Sequence, residues 1–180
     1  MSFLSRVEAA SYEEAGYAIK ENYKATMYHG SLVPVKDWHT DTDGAFGKGL
    51  YLTPDLGYAD FYSKGGRMGH AGQKLAKDAK YVYEFEIKGR AIIVKNIDEV
   101  IYDIQSSIEE AEDVDSDSAK IQRFFAQWAT DVIGGDILVI PKNVKVEHVH
   151  FNAAPQALVF NKSAFKCLGL KTETKVSNAK

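Results

Sequence analysis

The stretch Phe46-Gly47-Lys48-Gly49-Leu50-Tyr51-Leu52-Thr53-Pro54-Asp55, followed by Ala59, Phe61 and Tyr62, decides how the rest of the chain is read. A Gly-Lys-Gly loop runs into 50–53, which alternates aliphatic with aromatic or hydroxyl side chains as a half-buried strand does. Pro54 and Asp55 then open a short helix that carries Tyr62. A strand end and a helix turn meeting at a Gly-rich loop bring the rings of Tyr51 and Tyr62 to one corner, as walls of a slot in which a flat ligand can stack. Other parts of the chain must supply that ligand's remaining contacts.

Working outward, 26–31 is β-prone and ends in Gly30-Ser31, so His29 lies at a strand terminus. Before it, Ser11 as a cap and Tyr12, Ala15, Ile19 and Tyr23 at helical spacing predict an amphipathic helix over 11–25. The polar segment 38–44 reads as a surface loop, and the Gly-rich basic segment 63–72 as a mobile loop beside the slot. Period-2 alternation predicts strands over 81–87 and 91–94. Apolar stripes predict helices over 97–108 and 121–133, with the acidic stretch 109–117 as a solvated linker between them. The last third reads as strands over 136–140, 144–151 and 157–160, then a closing helix over 162–168. Helices in the N-terminal part and the middle, with no regular strand–helix alternation, argue an α+β domain with mixed or antiparallel sheets. The expected organisation is one domain over 1–170 and a flexible tail over 171–180.

At 180 residues the chain supports one substantial core, and its 45% hydrophobic and 26% charged content is that of a globular protein. A net charge of -3 gives no global attraction to nucleic acid, so a polyanion partner requires a local basic patch. The single cysteine, Cys167, excludes an intramolecular disulfide framework and, within an apolar helical pattern, reads as a packing residue. No apolar run reaches the roughly 20 residues of a membrane span, and the N-terminus lacks the order of a secretory signal. A cytoplasmic protein is expected, in the producing cell or in a target cell that receives it as an injected effector.

Individual residues carry less. His29-Gly30 alone fits a hydrogen-bonded structural histidine, although a glycine there lets a ligand pair with the backbone. Gln156 enters an apolar strand, and its amide can accept from one hydroxyl and donate to a neighbour without taking a proton as a carboxylate does. His148 and His150 alternate near Glu147 but find no further ligand at metal spacing, and His39 and His70 read as loop residues, so no metal is expected. Gly47-Lys48-Gly49 leads into a strand, not a helix, and is therefore not a phosphate loop.

In chain order, Tyr28-His29-Gly30-Ser31, then Phe46-Gly47-Lys48-Gly49-Leu50-Tyr51-Leu52 with Ala59 and Tyr62, then Gln156-Ala157-Leu158-Val159-Phe160, resemble the three signature strands of the diphtheria-toxin-like and poly(ADP-ribose)-polymerase-like ADP-ribosyltransferases. The middle block is the most specific, because polymerase-like members carry Phe-Gly-Lys-Gly-Ile-Tyr-Phe and a second tyrosine at the spacing of Tyr51 to Tyr62. The similarity is closer to small bacterial and phage toxin or effector branches than to the eukaryotic polymerases. The resemblance implies NAD as co-substrate without a metal, and a split pair of mixed or antiparallel sheets with flanking helices. It also implies that His29 holds the nicotinamide-side ribose, Gly30 pairs with the carboxamide, and Tyr51 and Tyr62 stack on the ring. Catalysis would involve Gln156, His29 and Tyr51.

The resemblance has two departures. Gln156 stands where the family has a catalytic glutamate, which argues against chain elongation. Ala59 stands where the polymerases have a serine, which leaves Ser31 or Thr53 to supply the missing contact. The implied activity is mono-ADP-ribosyl transfer to a macromolecule, protein or nucleic acid, with no membrane partner. An NAD- or ADP-ribose-binding module and an NAD glycohydrolase are the alternatives. Lys64, Arg67, Lys74 and Lys77 form a modest basic cluster that fits a polyanion contact or a solvated loop.

Overall fold

The structure, a computed structural model, describes residues 15–63, 81–149 and 155–172. Its spine is β5 (Tyr81–Val94), a single 14-residue strand where two short ones were expected. The Lys88-Gly89-Arg90 stretch that looks like a break instead continues the ladder. Asp136 accepts from the Arg90 amide at 3.0 Å and returns its own N–H to the Arg90 carbonyl at 2.9 Å. Gly89 lets the Asp136 side chain approach closely, since a Cβ there would lie 3.0 Å from its carboxylate.

β1 (Tyr17–Ser31) pairs antiparallel with β5 from Tyr17↔Val94 to Ser31↔Tyr81. This overturns the helix expected over 11–25 for every residue from Tyr17 on, while 11–14 lie outside the described residues. The cause is a β-bulge between Lys20 and Tyr23, which inserts one extra residue opposite β5. Before the bulge Tyr17 and Ile19 face one core; after it Tyr23, Ala25 and Met27 face the other. The bulge thus leaves a four-residue gap between two inward-facing apolar positions and counterfeits a helical stripe.

The opposite edge of β5 is shared. β8 (Phe165–Thr172) pairs with it antiparallel over 82–87, and β6 (Ile137–Ile140) pairs with it parallel over 91–93. From β6 the sheet continues antiparallel through β7 (Gln156–Val159) to β4 (Leu50–Leu52). The path then returns to its start through an isolated bridge, Tyr28↔Thr53, with both N–H···O bonds at 2.8 Å. The sheet therefore curls until β4 meets β1. Within the curl, Met27, Leu50, Leu52, Phe85, Ile93, Ile137, Ala157 and Val159 form one core. On the outer face, Ile92, Leu138, Ile140 and Leu158 pack against α2 (Ile97–Ser107) and against Phe125 and Trp128.

That second helical segment is present but changes pitch, from 3-10 (Ile121–Phe124) through one α turn (Phe125–Gln127) to a π turn (Trp128–Val132). Asn96 caps α2 by accepting from the Asp98 N–H, and the acidic stretch after it begins as a 3-10 turn (Glu109–Ala111) with Ala111 buried.

Two further expectations fail. The described part of 144–151 is not a strand. Lys145 makes only an isolated bridge to Asn96, and the Glu147 and His148 amides bond to the Asp98 carboxylate at 2.7 and 3.0 Å. The closing helix over 162–168 is a 3-10 turn, Lys162–Ala164, that gives way to β8. Phe165 and Cys167 face the inner core while Leu168 and Leu170 are 51% and 44% exposed, so Leu168, which completed the apparent helical pattern, lies on the solvent side of a strand. Cys167 is accordingly a strand residue paired with Phe85. The fold is α+β with a core made mostly of sheet. No described helix is long and apolar enough to cross a membrane.

Candidate functional site

The three sequence blocks converge where β1 and β4 meet, and the residue that joins them is Thr53. It is 6% exposed, the single polar side chain in the buried set of described residues. Its backbone exchanges both hydrogen bonds with Tyr28, and its hydroxyl donates to the Pro155 carbonyl at 2.9 Å while accepting from the Asp55 N–H at 3.2 Å. Asp55 in turn accepts from the Gly57 and Tyr58 amides and so caps α1 (Leu56–Ser63). One threonine thus ties together the His29 block, the helix that carries Tyr62, and the residue that precedes Gln156.

Past this bridge no further backbone bond joins β1 to β4 among the described residues, and this break in the ladder is the notch. His29 donates from Nδ1 to the Tyr51 carbonyl at 2.8 Å, which leaves Nε2 as an acceptor in the neutral ring. Burial pushes the imidazole pKa below its usual value, and the bond to Tyr51 opposes that shift only in part. Trp38 packs edge-on against His29 with centroids 5.2 Å apart, and the same indole meets Tyr83 at 4.9 Å and Phe85 at 4.7 Å. Because Tyr28 directs both backbone groups to Thr53, antiparallel alternation turns those of Gly30 to the same edge, into the notch. Ser31 ends β1 and accepts from the Val33 N–H at 3.3 Å in the exposed turn that follows.

Tyr51 is placed differently from the slot wall expected of it. Leu50 and Leu52 feed the inner core, so the ring between them points to the outer face, opposite to His29, which follows the inward Met27 by two residues. The hydroxyl bends back into its own turn, donating to the Gly47 carbonyl at 2.6 Å and accepting from the Phe46 N–H at 2.9 Å. Burial, with the nearby Asp43 charge adding to it and the Phe46 bond opposing it, pushes the phenol up to about 12. Gly44 lies against the ring: a Cβ there would sit 2.4 Å from Cζ. Gly47, at φ 94°, lies against the Arg123 carbonyl and the Ala126 side chain, and Ala126 donates its N–H to the Phe46 carbonyl at 3.0 Å. The Phe-Gly-Lys-Gly turn is thereby docked onto the 121–132 helical run through Gly47, while Gly49 lies against Leu158 and Phe160.

Gln156 is half-buried at the start of β7, opposite Ile140, and strand alternation puts it on the outer face with Leu158. The predicted residues therefore split: His29 on the inner side, Thr53 and Gln156 on the outer, and Gly30 edge-on between them. Ala59 is completely buried, so that position faces protein interior. The backbone of Tyr62 lies in the last turn of α1, but its side chain lies outside the described residues, as do His70, His150 and the cluster Lys64, Arg67, Lys74 and Lys77. His148 is 83% exposed, and no group of three metal-ligating side chains occurs among the described residues.

Sequence reasoning missed Trp38 and the structural role of Tyr28. A tryptophan inside the polar loop 38–44 is the signal that could have found the first, because so large an apolar ring seldom stays in solvent. No family model matches the chain, and no curated protein matches it.

Proposed function

We propose that the chain is a mono-ADP-ribosyltransferase that binds NAD in the notch between β1 and β4. The observation that supports this reading is the Thr53 junction, where a residue of the middle block bonds by its backbone to Tyr28, next to His29 and Gly30, and by its hydroxyl to Pro155, next to Gln156. Gly30 would pair its amide and carbonyl with the nicotinamide carboxamide, and His29 Nε2 would accept from a ribose hydroxyl. Gln156 would hold a second hydroxyl from the other side. In the reaction the C1′–N bond breaks, nicotinamide leaves with the bonding electron pair, and the cationic ribose is captured by a nucleophile on the acceptor, which then loses its proton. The chain's contribution is position and a preorganised polar surround.

Gln156 also favours a second reading, an NAD- or ADP-ribose-binding module. A neutral amide stabilises developing positive charge at the anomeric carbon less than a carboxylate does. Incubation with NAD and cell lysate separates the two. The transferase releases nicotinamide and labels a macromolecule, the module binds NAD calorimetrically and releases none, and a glycohydrolase yields free ADP-ribose without label. Failure to bind NAD at all sinks every version.

A further inference from the structure

A second site lies at the opposite end of β4. The hairpin formed by β2 (Asp43–Gly44) and β3 (Gly47–Lys48) stands against the 121–132 helical run, and between them runs an open groove of about 770 Å³. That volume is on the scale of a ligand site. Each wall carries a cation, Lys48 from the hairpin and Arg123 from the helical run, and both are exposed. Asp43 pairs directly across the ladder from Lys48 and offsets only one of them. Phe160, half-buried just after β7, adds an aromatic ring and Gln127 an amide, while the Thr130 hydroxyl is engaged with the Ala126 carbonyl at 3.0 Å and the Asp131 carboxylate at 2.8 Å.

The wall bearing Gln127 and Thr130 includes the π turn, where the Ile133 N–H reaches back to the Trp128 carbonyl at 3.1 Å. Such turns are uncommon and concentrate at functional sites. In a chain of net charge -3, a groove whose lining residues carry two cations against one carboxylate is a local departure from the whole.

We propose that this groove binds a segment of single-stranded polynucleotide. Cations on facing walls suit successive phosphates, and an aromatic ring beside side-chain amides suits a base, the combination that single-strand binders use. An acidic peptide would use the cations but leave the ring without a flat partner. The binding claim rests on the groove alone; that the bound strand is the acceptor for ADP-ribose rests on the reading above.

The test is fluorescence anisotropy of labelled oligothymidine with the full chain, across a salt series and without NAD. Saturable binding is expected, weakened several-fold by Lys48→Gln or Arg123→Gln and further by both together. The slope of log affinity against log salt should fall by about 0.7 for each cation removed. Phe160→Leu should lose affinity and keep the slope, with an unchanged melting temperature as the control for folding. Lys162→Gln, an exposed cation outside the groove, should change nothing. Absence of binding, an equal loss in Lys162→Gln, or competition by polyglutamate as effective as by unlabelled oligonucleotide would each overturn the proposal. None of these results bears on whether the notch binds NAD, which calorimetry measures separately.

Discussion

The two ends of β4 are built on opposite plans. At the Phe46–Lys48 end, polar groups are satisfied within the turn: the Tyr51 hydroxyl holds both the Phe46 amide and the Gly47 carbonyl, and Gly47 is pressed onto the helical run. At the Thr53 end, backbone pairing between the described parts of β1 and β4 is confined to Tyr28 and Thr53; beyond it the His29 ring alone reaches across, to the Tyr51 carbonyl, which leaves Gly30 edge-on and Nε2 as an acceptor. The first end is a dock and the second a gap. In the most specific part of the motif, Phe46, Gly47 and Tyr51 are thus accounted for by packing and internal hydrogen bonds, and the contacts proposed for NAD fall to the less conspicuous His29 and Gly30.

The docked end is most vulnerable at Gly47. Gly47→Ala forces a side chain into positive φ and to within 2.7 Å of the Arg123 carbonyl, so unfolding in denaturant should show a loss of about 3 kcal/mol. Retention of full stability would mean that the turn is not docked. Tyr51→Phe removes one hydroxyl with two partners and should cost about 2 kcal/mol. The same variant tests an alkaline effect. With the folded pKa raised to about 12 from 10.0, the neutral phenol contributes stability that is present below pH 10 and fades as pH rises toward 12. The wild type should therefore lose stability over that range more steeply than Tyr51→Phe.

At the other end, Thr53→Val keeps the backbone bridge but leaves the Pro155 carbonyl without its donor. A cost of about 1 kcal/mol is expected, together with weaker NAD binding as Gln156 loses its anchor. A stability loss with unaltered NAD affinity would separate Thr53 from the site. The smallest effect concerns His29. Its folded pKa lies below the unfolded value of 6.5, so the unfolded chain binds more protons and the neutral-ring fold is fully stable only above about pH 6.5. Melting temperature should decline as pH falls below that value, and His29→Gln should remove this part of the decline.

Much of this was legible in the chain, for reasons that differ by element. Strand β4, the start of α1 at Pro54 and Asp55, and α2 each carry an undisturbed local period or cap, and each appears where expected. β1 was misread because its bulge changes which face the apolar residues take, and β8 because Phe165, Cys167 and the exposed Leu168, taken together, mimic a helical pattern. Both errors come from tertiary pairing that no local window contains. At the site, His29 at a strand end and Gln156 at a strand start were readable from their neighbours. The direction of the Tyr51 ring was not: it depends on which core Leu50 and Leu52 fill, and that is decided by strands far away in sequence.

The most direct test is nicotinamide release from NAD by His29→Ala and Tyr51→Phe, measured side by side with wild type at a temperature where all three are folded. If the gap holds the ligand and the dock holds the fold, His29→Ala should lose about tenfold or more, the equivalent of roughly 1.4 kcal/mol in the transition state, while Tyr51→Phe stays within about threefold of wild type. A folded Tyr51→Phe that no longer releases nicotinamide, beside a His29→Ala that does, would contradict the account.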